Sequence, residues 1–426
     1  MLNRIIKYIN SYQLFQLLRY ASMIIPTIFF SKYFYSKEDI GLYESFLLFS
    51  SVFSFFWLSA IFSTILSDDQ QEETKKKNIK VAFVAIQFIS IGMIVILLLS
   101  NFIHPYIEQS YLYALVCYIL INNPAFIIEN AFLLFKKKNE LIYYGISYFI
   151  VQLIGSFILV YEQADIIYII YWLLGVACLR YIYACYMILQ LNTRIEMKSI
   201  SLLILKSSPL LLSFFIAGIA EYIDAFLIKY HFGNATLTIY RYGAREIPFV
   251  MILANALSIS MIPAIRDHID TGIAELKRRS SYLMHISFIG TILLVLTCTW
   301  WYPILFSNQF LDSIPYFLIS SLLIISRCVF PQTILQANRA TKAIMYISIF
   351  ELILNVLLSL LFLYMYGAIG VLYGTIISFT LEKIVLSIYV KMKFNVKITS
   401  YIPIQLYLFY ILLLLCSIAI QHTYLN

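Results

Sequence analysis

The sequence predicts an all-α, polytopic membrane protein with 12 to 13 transmembrane helices. Of its 426 residues, 62% are hydrophobic and 12% are charged, whereas a soluble domain is about half apolar and about a quarter charged. Apolar runs long enough to cross a bilayer follow one another from residue 11 to residue 421. These runs are continuous and lack the alternation of a membrane barrel, which favours helices.

The connections between the predicted spans alternate in charge and thereby indicate the topology. The spans have residue bounds of 11–33, 40–67, 79–103, 109–135, 141–161, 164–190, 202–230, 236–263, 280–305, 313–337, 342–364, 368–390 and 398–421. Every second connection is basic, as at Lys75 to Lys77 and Lys136 to Lys138, and so is the amino terminus with Arg4 and Lys7. Basic loops stay in the cytoplasm. We therefore expect a multi-pass protein of the inner, cytoplasmic membrane with a cytoplasmic amino terminus.

The sequence argues against an enzyme. The connections are too short to form a catalytic domain, and the chain contains neither a GxxxxGK[ST] nor a GxGxxG motif for nucleotide binding. The five histidines and six cysteines show no metal-ligand spacing. The net charge of +8 reflects membrane topology, so nucleic acid is not an expected partner. No cofactor and no metal is expected, and any function is performed inside the membrane.

Two polar hairpins suggest an internal repeat. The segments Phe30 to Phe46 and His231 to Ile247 both join an outward helix to an inward one, one six-helix unit apart. Such spacing indicates parallel repeats related by an axis along the membrane normal. We predict a six-helix bundle over residues 1–200, a second over 201–397, and an additional transmembrane helix over 398–426.

Three stretches carry a family resemblance: Glu38 to Tyr43, Tyr366 to Gly370, and Glu221 to Ile228 with Tyr240, Ala244, Pro248 and Pro263. They resemble, respectively, the first outer hairpin, the start of the twelfth helix, and the seventh and eighth helices of the polysaccharide and O-antigen flippases. These flippases move lipid-linked oligosaccharides and belong to the multidrug/oligosaccharidyl-lipid/polysaccharide exporter superfamily. Thr238 departs from the family's usual glycine. The resemblance implies a V-shaped pair of six-helix bundles around a cavity that opens alternately to either side.

Charged residues within the spans are the candidate functional groups, because each is costly at a lipid-facing midplane. Arg19, Arg180 and Arg327 are far in sequence from acidic residues and are therefore expected to line a wet cavity. Arg241 and Arg245, four residues apart, are expected to share a helical face. The planar guanidinium of arginine suits bidentate binding of phosphate. All five arginines are candidate substrate ligands.

Two acidic residues are candidate ion-coupling groups. Glu221 and Asp224 lie three residues apart on the predicted seventh helix, opposite the face that carries Arg241 and Arg245. One interpretation is an ion pair that fixes the packing of the two helices, and the other is a proton or sodium site. The sequence leaves both open.

The predicted function is translocation of an undecaprenyl-pyrophosphate-linked oligosaccharide repeat unit to the outer face of the inner membrane. This unit would belong to an O-antigen, a capsule or a similar surface glycan, and the partners would be membrane lipids and glycan-assembly proteins. One alternative is a multidrug exporter on the same fold, for which an acidic cavity is expected. Another is a membrane glycan polymerase or ligase, which would need a substantial outer loop.

Overall fold

Every regular element that the structure describes is a helix, which confirms the predicted all-α fold class. The computed structural model describes residues 11–33, 35–67, 72–103, 107–191, 193 and 195–425, without the side chains of some residues inside helices. Arg4 and Lys7 lie outside the described residues. The predicted cytoplasmic position of the amino terminus stays a prediction.

The chain divides into two compact units, Met1–Ile219 and Ala220–Asn426. The first unit contains eight helices and the first part of a ninth. Their bounds are Ser11–Lys32 (α1), Lys37–Val52 (α2), Phe55–Ser67 (α3), Glu72–Ile103 (α4), Gln109–Ala125 (α5), Ile127–Leu134 (α6), Lys138–Tyr161 (α7), Ile166–Leu189 (α8) and Met197–Gly243 (α9). The core of this unit includes Trp57, Ala85 and Ile128.

The second unit contains the rest of α9 and ten further α-helices. Their bounds are Pro248–Asp267 (α10), Ile269–Leu296 (α11), Cys298–Phe306 (α12), Ile314–Ser320 (α13), Leu323–Arg327 (α14), Pro331–Ala337 (α15), Thr341–Tyr366 (α16), Ala368–Phe394 (α17), Ile398–Tyr401 (α18) and Ile404–Leu425 (α19), with a short 3₁₀ helix at Asn308–Ser313. The domain bounds predicted from sequence stay a prediction.

α9 is interrupted at Gly233, whose φ of 79° belongs to the region that glycine adopts without steric cost. Thr238, the departure from the flippase pattern, lies inside the helical segment after this break. Its hydroxyl donates to the Asn234 carbonyl at 3.1 Å. The turn therefore does not require glycine at residue 238.

The helices form a multi-pass membrane protein. In the described chain, ten helical stretches are long and apolar enough to cross a membrane, if α5 with α6 is counted as one stretch and Asn308–Ala337 as another. The number is eleven if α2 and α3, bent by 43°, form one span. α1 contributes a shorter apolar stretch, Ala21–Lys32. Large apolar side chains are exposed on the helix surfaces, including Phe102 of α4 and Leu412 of α19. Hydrocarbon rather than water is the solvent for such surfaces.

The connections that follow the second and the eighth predicted spans are largely helical where the structure describes them. α4 and α11 each begin inside one of these connections. Glutamate, lysine and arginine are good helix formers, and oppositely charged residues four apart support a helix further. Lys76 pairs with Glu72 at 3.0 Å, and Arg279 pairs with Glu275 at 2.6 Å.

Prolines lie at three of the helix interruptions. α5 ends one residue after Pro124, Pro248 begins α10, and Pro331 begins α15. Pro26 lies inside α1. Proline is favoured at the first position of a helix because its missing N–H has no intrahelical partner there.

Gly370 and Gly374 bring α16 and α17 into backbone contact. A Cβ atom at Gly370 would lie 2.0 Å from the Phe362 carbonyl oxygen, and one at Gly374 would lie 2.5 Å from the Ser359 nitrogen. A GxxxG spacing of this kind permits close packing of two helices.

Candidate functional site

Two helix interruptions lie side by side in the second unit. The predicted eighth span, 236–263, is not continuous, because α9 ends at Gly243 and α10 begins at Pro248. The predicted tenth span, 313–337, is divided into α13, α14 and α15, with residues 328–330 outside any helix. Broken helices inside a membrane protein are tolerated where the freed backbone groups find partners, and they often form binding sites.

Side chains satisfy the carbonyl groups that these breaks release. In a continuous helix the Tyr242 and Gly243 carbonyls would accept from the amides four residues on, which are no longer helical. The Tyr302 hydroxyl donates to the Tyr242 oxygen at 2.7 Å, and the Ser320 hydroxyl donates to the Gly243 oxygen at 3.2 Å. The Tyr407 hydroxyl donates to the Ile325 oxygen at 2.7 Å. The hydroxyl groups of neighbouring helices therefore stabilise both helix interruptions.

Gly243 allows the two interrupted spans to approach each other. A Cβ atom at this position would lie 2.4 Å from the Ser313 carbonyl oxygen and 2.5 Å from the Tyr316 Cβ atom. The absence of a side chain thus permits direct contact between the end of α9 and the start of α13.

Glu246 and Arg327 join the two breaks through a bidentate ion pair. Arg327 Nε donates to Glu246 Oε2 at 2.9 Å, and Nη2 donates to Oε1 at 2.5 Å. The Phe379 ring lies 5.2 Å from the Arg327 guanidinium carbon. A small cavity beside the pair is lined by both charged residues and by Ser320 and Ser321. The Arg327 side chain is 31% exposed and that of Glu246 is 21% exposed.

A second charged cluster lies in the first unit, around Glu129. Its Oε2 accepts from Arg19 at 3.2 Å, and its Oε1 accepts from Arg180 at 2.9 Å. Arg180 also donates to the Tyr144 oxygen at 2.6 Å and to Asn122 Oδ1 at 2.8 Å. Arg180 and Glu129 are almost fully buried, whereas the Arg19 side chain is 30% exposed.

This cluster is also organised by a helix interruption. Phe126 separates α5 from α6, and both guanidinium groups face its ring, at 5.4 Å for Arg19 and 5.0 Å for Arg180. The Tyr148 ring lies 5.0 Å from Arg180. Aromatic faces attract cations. Two arginines share one carboxylate, so the described charged groups of the cluster include one more cation than anion, and Arg19 is the more exposed of the two arginines.

The ion pairs revise the sequence expectation for Arg19, Arg180 and Arg327. Their acidic partners are 110, 51 and 81 residues away along the chain, respectively. Sequence distance argued against such partners, and that argument is wrong because helices distant in sequence are adjacent in the fold. The sequence shows that Glu129 lies in an apolar run, but it did not reveal that Glu129 is the ion-pair partner of both Arg19 and Arg180.

Arg241 and Arg245 do not share the predicted helical face. Arg241 lies in the last turn of α9, whereas Arg245 lies in the non-helical segment between Gly243 and Pro248. Both side chains are half-buried. Their role as substrate ligands stays a prediction.

Asp224 lies in a buried polar network of the second unit. Its Oδ2 accepts from the Thr375 hydroxyl at 2.5 Å and from the Tyr240 hydroxyl at 3.4 Å. The other carboxylate oxygen, Oδ1, is buried and has no hydrogen-bond partner among the described residues. The Glu221 side chain lies outside the described residues, so its predicted role stays a prediction.

The network extends from Asp224 through α17 and α16. The Val371 carbonyl accepts from Thr375 at 3.1 Å and from Ser359 at 3.3 Å. Asn355 donates to the Ser378 hydroxyl at 3.1 Å, and Ser378 donates to Glu351 at 3.3 Å. Small polar residues spaced three or four apart on apolar helices are a sequence signal that could have identified this network.

Several solved structures share the fold of this chain over at least 90% of its length. A lipid II flippase, MurJ, in an inward closed conformation has a TM-score of 0.66 at 17% identity, and the match covers 96% of this chain and 97% of that chain. A MATE protein in the straight conformation has a TM-score of 0.54 at 11% identity, with 90% and 93% covered. The MATE multidrug transporter DinF-BH has a TM-score of 0.53 at 12% identity, with 91% and 96% covered.

At 11% to 17% identity, these likenesses show that the chain shares the fold of these proteins. No protein-family model matches the sequence. Comparison with curated proteins gave no match either. Of these structures, MurJ is a lipid II flippase and DinF-BH is a multidrug transporter.

Proposed function

We propose that the protein is a flippase for an undecaprenyl-pyrophosphate-linked oligosaccharide repeat unit, which it moves from the cytoplasmic to the outer face of the inner membrane by alternating access. One observation carries this proposal. In the Arg19–Glu129 and Arg327–Glu246 pairs, the arginine is more exposed than its acidic partner, at 30% against 4% and 31% against 21%. An arriving ligand therefore meets positive charge in both units.

The chemistry of the exposed guanidinium groups suits a diphosphate. Arginine stays protonated under all physiological conditions and presents parallel N–H groups that match two oxygens of a phosphate. Arg327 already uses this geometry to hold the two oxygens of Glu246. Two oxygens of a diphosphate would replace the Glu246 carboxylate oxygens and accept from the same two N–H groups of Arg327.

Energy coupling is proposed at Asp224. A carboxylate oxygen that is buried without a hydrogen-bond partner among the described residues is satisfied by a proton or by a hard cation. Oxygen atoms of Thr375, Ser359 and Asn355 belong to the same network, and oxygen ligands are those that such cations prefer. A proton or sodium gradient is therefore the proposed energy source.

The two alternatives predict different features. A multidrug exporter for organic cations is expected to present acidic side chains to its ligand, whereas here the exposed partners are basic. A glycan polymerase or ligase would need a substantial outer loop, and the described connections between helices are short. The function as flippase is the one that the exposed charges support best.

The proposal is tested in a deletion strain by measuring surface-glycan display and the pool of lipid-linked oligosaccharide on each membrane face. We expect complete repeat units to accumulate on the cytoplasmic face and display to be lost. Complete but unpolymerised units on the outer face would instead establish the polymerase alternative. Unchanged display with increased sensitivity to organic cations would establish the multidrug alternative.

Charge variants connect this test to the site. Expressed in the deletion strain, Arg327→Lys keeps the positive charge but loses the planar fork, whereas Arg327→Gln loses the charge. Binding of a diphosphate through the fork predicts reduced display for both variants, with the lysine variant intermediate. If both variants restore full display at wild-type abundance, Arg327 does not contact the substrate.

A further inference from the structure

We propose that the last helix, α19, is a brace that fixes the interruption between α14 and α15 and thereby orients Arg327, with Tyr407 as the positioning residue. The inference rests on the proposed function in so far as Arg327 is taken to bind a diphosphate. It assigns a role to a helix that the two-bundle plan leaves outside both six-helix units.

The interruption releases a backbone carbonyl next to Arg327. In a regular helix the Ile325 carbonyl would accept from the Val329 amide, but that amide is directed to the Ser326 oxygen at 3.4 Å. Pro331 has no N–H group and cannot extend the pattern. The Tyr407 hydroxyl fills the vacated position at 2.7 Å from the Ile325 oxygen.

α14 is too short to hold its own direction. It contains five residues, Leu323–Arg327, and a helix of little more than one turn has almost no intrinsic stability. Its orientation therefore depends on outside contacts. Ile325, which Tyr407 holds, is two residues from Arg327, so a change at this hydrogen bond alters the direction of the guanidinium.

Two further polar contacts of α19 attach it to a long helix. Tyr410 forms a hydrogen bond with His285 Nδ1 at 2.6 Å, and Gln421 donates to the Leu296 carbonyl at 2.5 Å. Both partners belong to α11, a helix of 28 residues. A rigid two-helix support of this kind gives Tyr407 a fixed position from which to hold α14.

A matched pair of variants separates the brace from general packing of α19. Tyr407→Phe removes the hydroxyl at the break and keeps the ring. Tyr410→Phe removes a hydroxyl from the same helix, three residues away, whose partner lies on α11 and not at the break. Both variants lose one hydrogen bond that fixes α19, but only the first affects α14.

The first measurement is amide hydrogen exchange of the purified full-length protein in lipid nanodiscs. We expect Tyr407→Phe to accelerate exchange at residues 326–330 by roughly tenfold, the effect of about one lost hydrogen bond, while Tyr410→Phe leaves exchange there unchanged. Unchanged exchange in Tyr407→Phe, or equal acceleration in both variants, would overturn the proposal.

The second measurement tests whether Tyr407 acts through Arg327. Binding of farnesyl diphosphate is compared with farnesol as the control for the lipid chain. Tyr407→Phe is expected to weaken diphosphate binding roughly fivefold, and to have no further effect when Arg327 is already alanine. An equal loss in both backgrounds refutes positioning through Arg327.

The two measurements keep the brace and the proposed function apart. If the wild-type protein does not bind farnesyl diphosphate, the diphosphate function is refuted, and the exchange at residues 326–330 alone decides whether Tyr407 fixes the break. If the wild type binds and only the exchange result fails, the brace is refuted and the function stands.

Discussion

Replacing Arg180 with alanine is expected to destabilise the protein strongly, whereas replacing Arg19 is expected to affect transport and leave stability nearly unchanged. The sequence treats the two arginines alike, as cavity residues. In the structure Arg180 is buried with Glu129 and also donates to Tyr144 and Asn122, while Arg19 is 30% exposed. Among the described residues, loss of Arg180 leaves the buried Glu129 carboxylate with Arg19, its more exposed and more distant ion-pair partner.

The magnitudes follow from burial. Breaking a buried ion pair by removing one partner costs about 3 to 5 kcal/mol, which is a large part of the roughly 5 to 15 kcal/mol that stabilises a folded protein. Removing Arg19 breaks a partly exposed pair worth about 1 kcal/mol or less, and Arg180 still neutralises Glu129. The measurements are thermal unfolding in detergent, membrane abundance, and glycan display.

The two variants serve as controls for each other, because they remove the same side chain from the same carboxylate. We expect Arg180→Ala to lower abundance and the unfolding temperature, and Arg19→Ala to lower display at normal abundance. Normal abundance and unfolding temperature for Arg180→Ala together with lost display would show that Arg180 contacts the substrate directly and that this reasoning is wrong.

Three further predictions concern the second unit and its controls. Gly243→Ala is expected to lower the amount of folded protein, because the added Cβ atom collides with the Ser313 carbonyl and destabilises the fold by about 1 to 3 kcal/mol. The control is Gly92→Ala in α4, where no atom lies within 4 Å of the added Cβ; it should leave abundance unchanged in the same assay. Asp224→Asn is expected to make translocation in vesicles independent of imposed proton and sodium gradients, and a response equal to wild type would remove Asp224 from coupling. Glu246→Gln is expected to free the Arg327 fork and tighten binding of farnesyl diphosphate in a titration, and weaker binding would mean that Glu246 is needed to orient the arginine.

The sequence predicts the membrane fold well because a spanning helix is recognised from the average hydropathy of about 20 residues. A few polar residues within such a stretch do not change that average enough to hide the helix. Proline positions also carry over, since Pro124, Pro248 and Pro331 all lie at helix interruptions. The spacing of Gly370 and Gly374 is an equally reliable sign of close helix packing, because two helix backbones can approach closely where the contacting residues are small.

The charged partners could not be predicted, because they depend on which helices become neighbours. Glu129 forms ion pairs with arginines of α1 and α8, and no local sequence pattern indicates that these helices are neighbours. The position of Arg245 was misjudged for a different reason. α9 ends at Gly243, five residues before Pro248, and the sequence alone placed the interruption at the proline.

The backbone contact between α16 and α17 has a consequence for movement of the second unit. Because Gly370 and Gly374 bring the two helix backbones into direct contact, we expect α16 and α17 to move as one rigid pair. Thr375 of this pair donates to Asp224 of α9. Separation of the pair from α9 would break this hydrogen bond to a buried carboxylate, so the proposed coupling at Asp224 predicts that binding of a proton or cation there controls the separation.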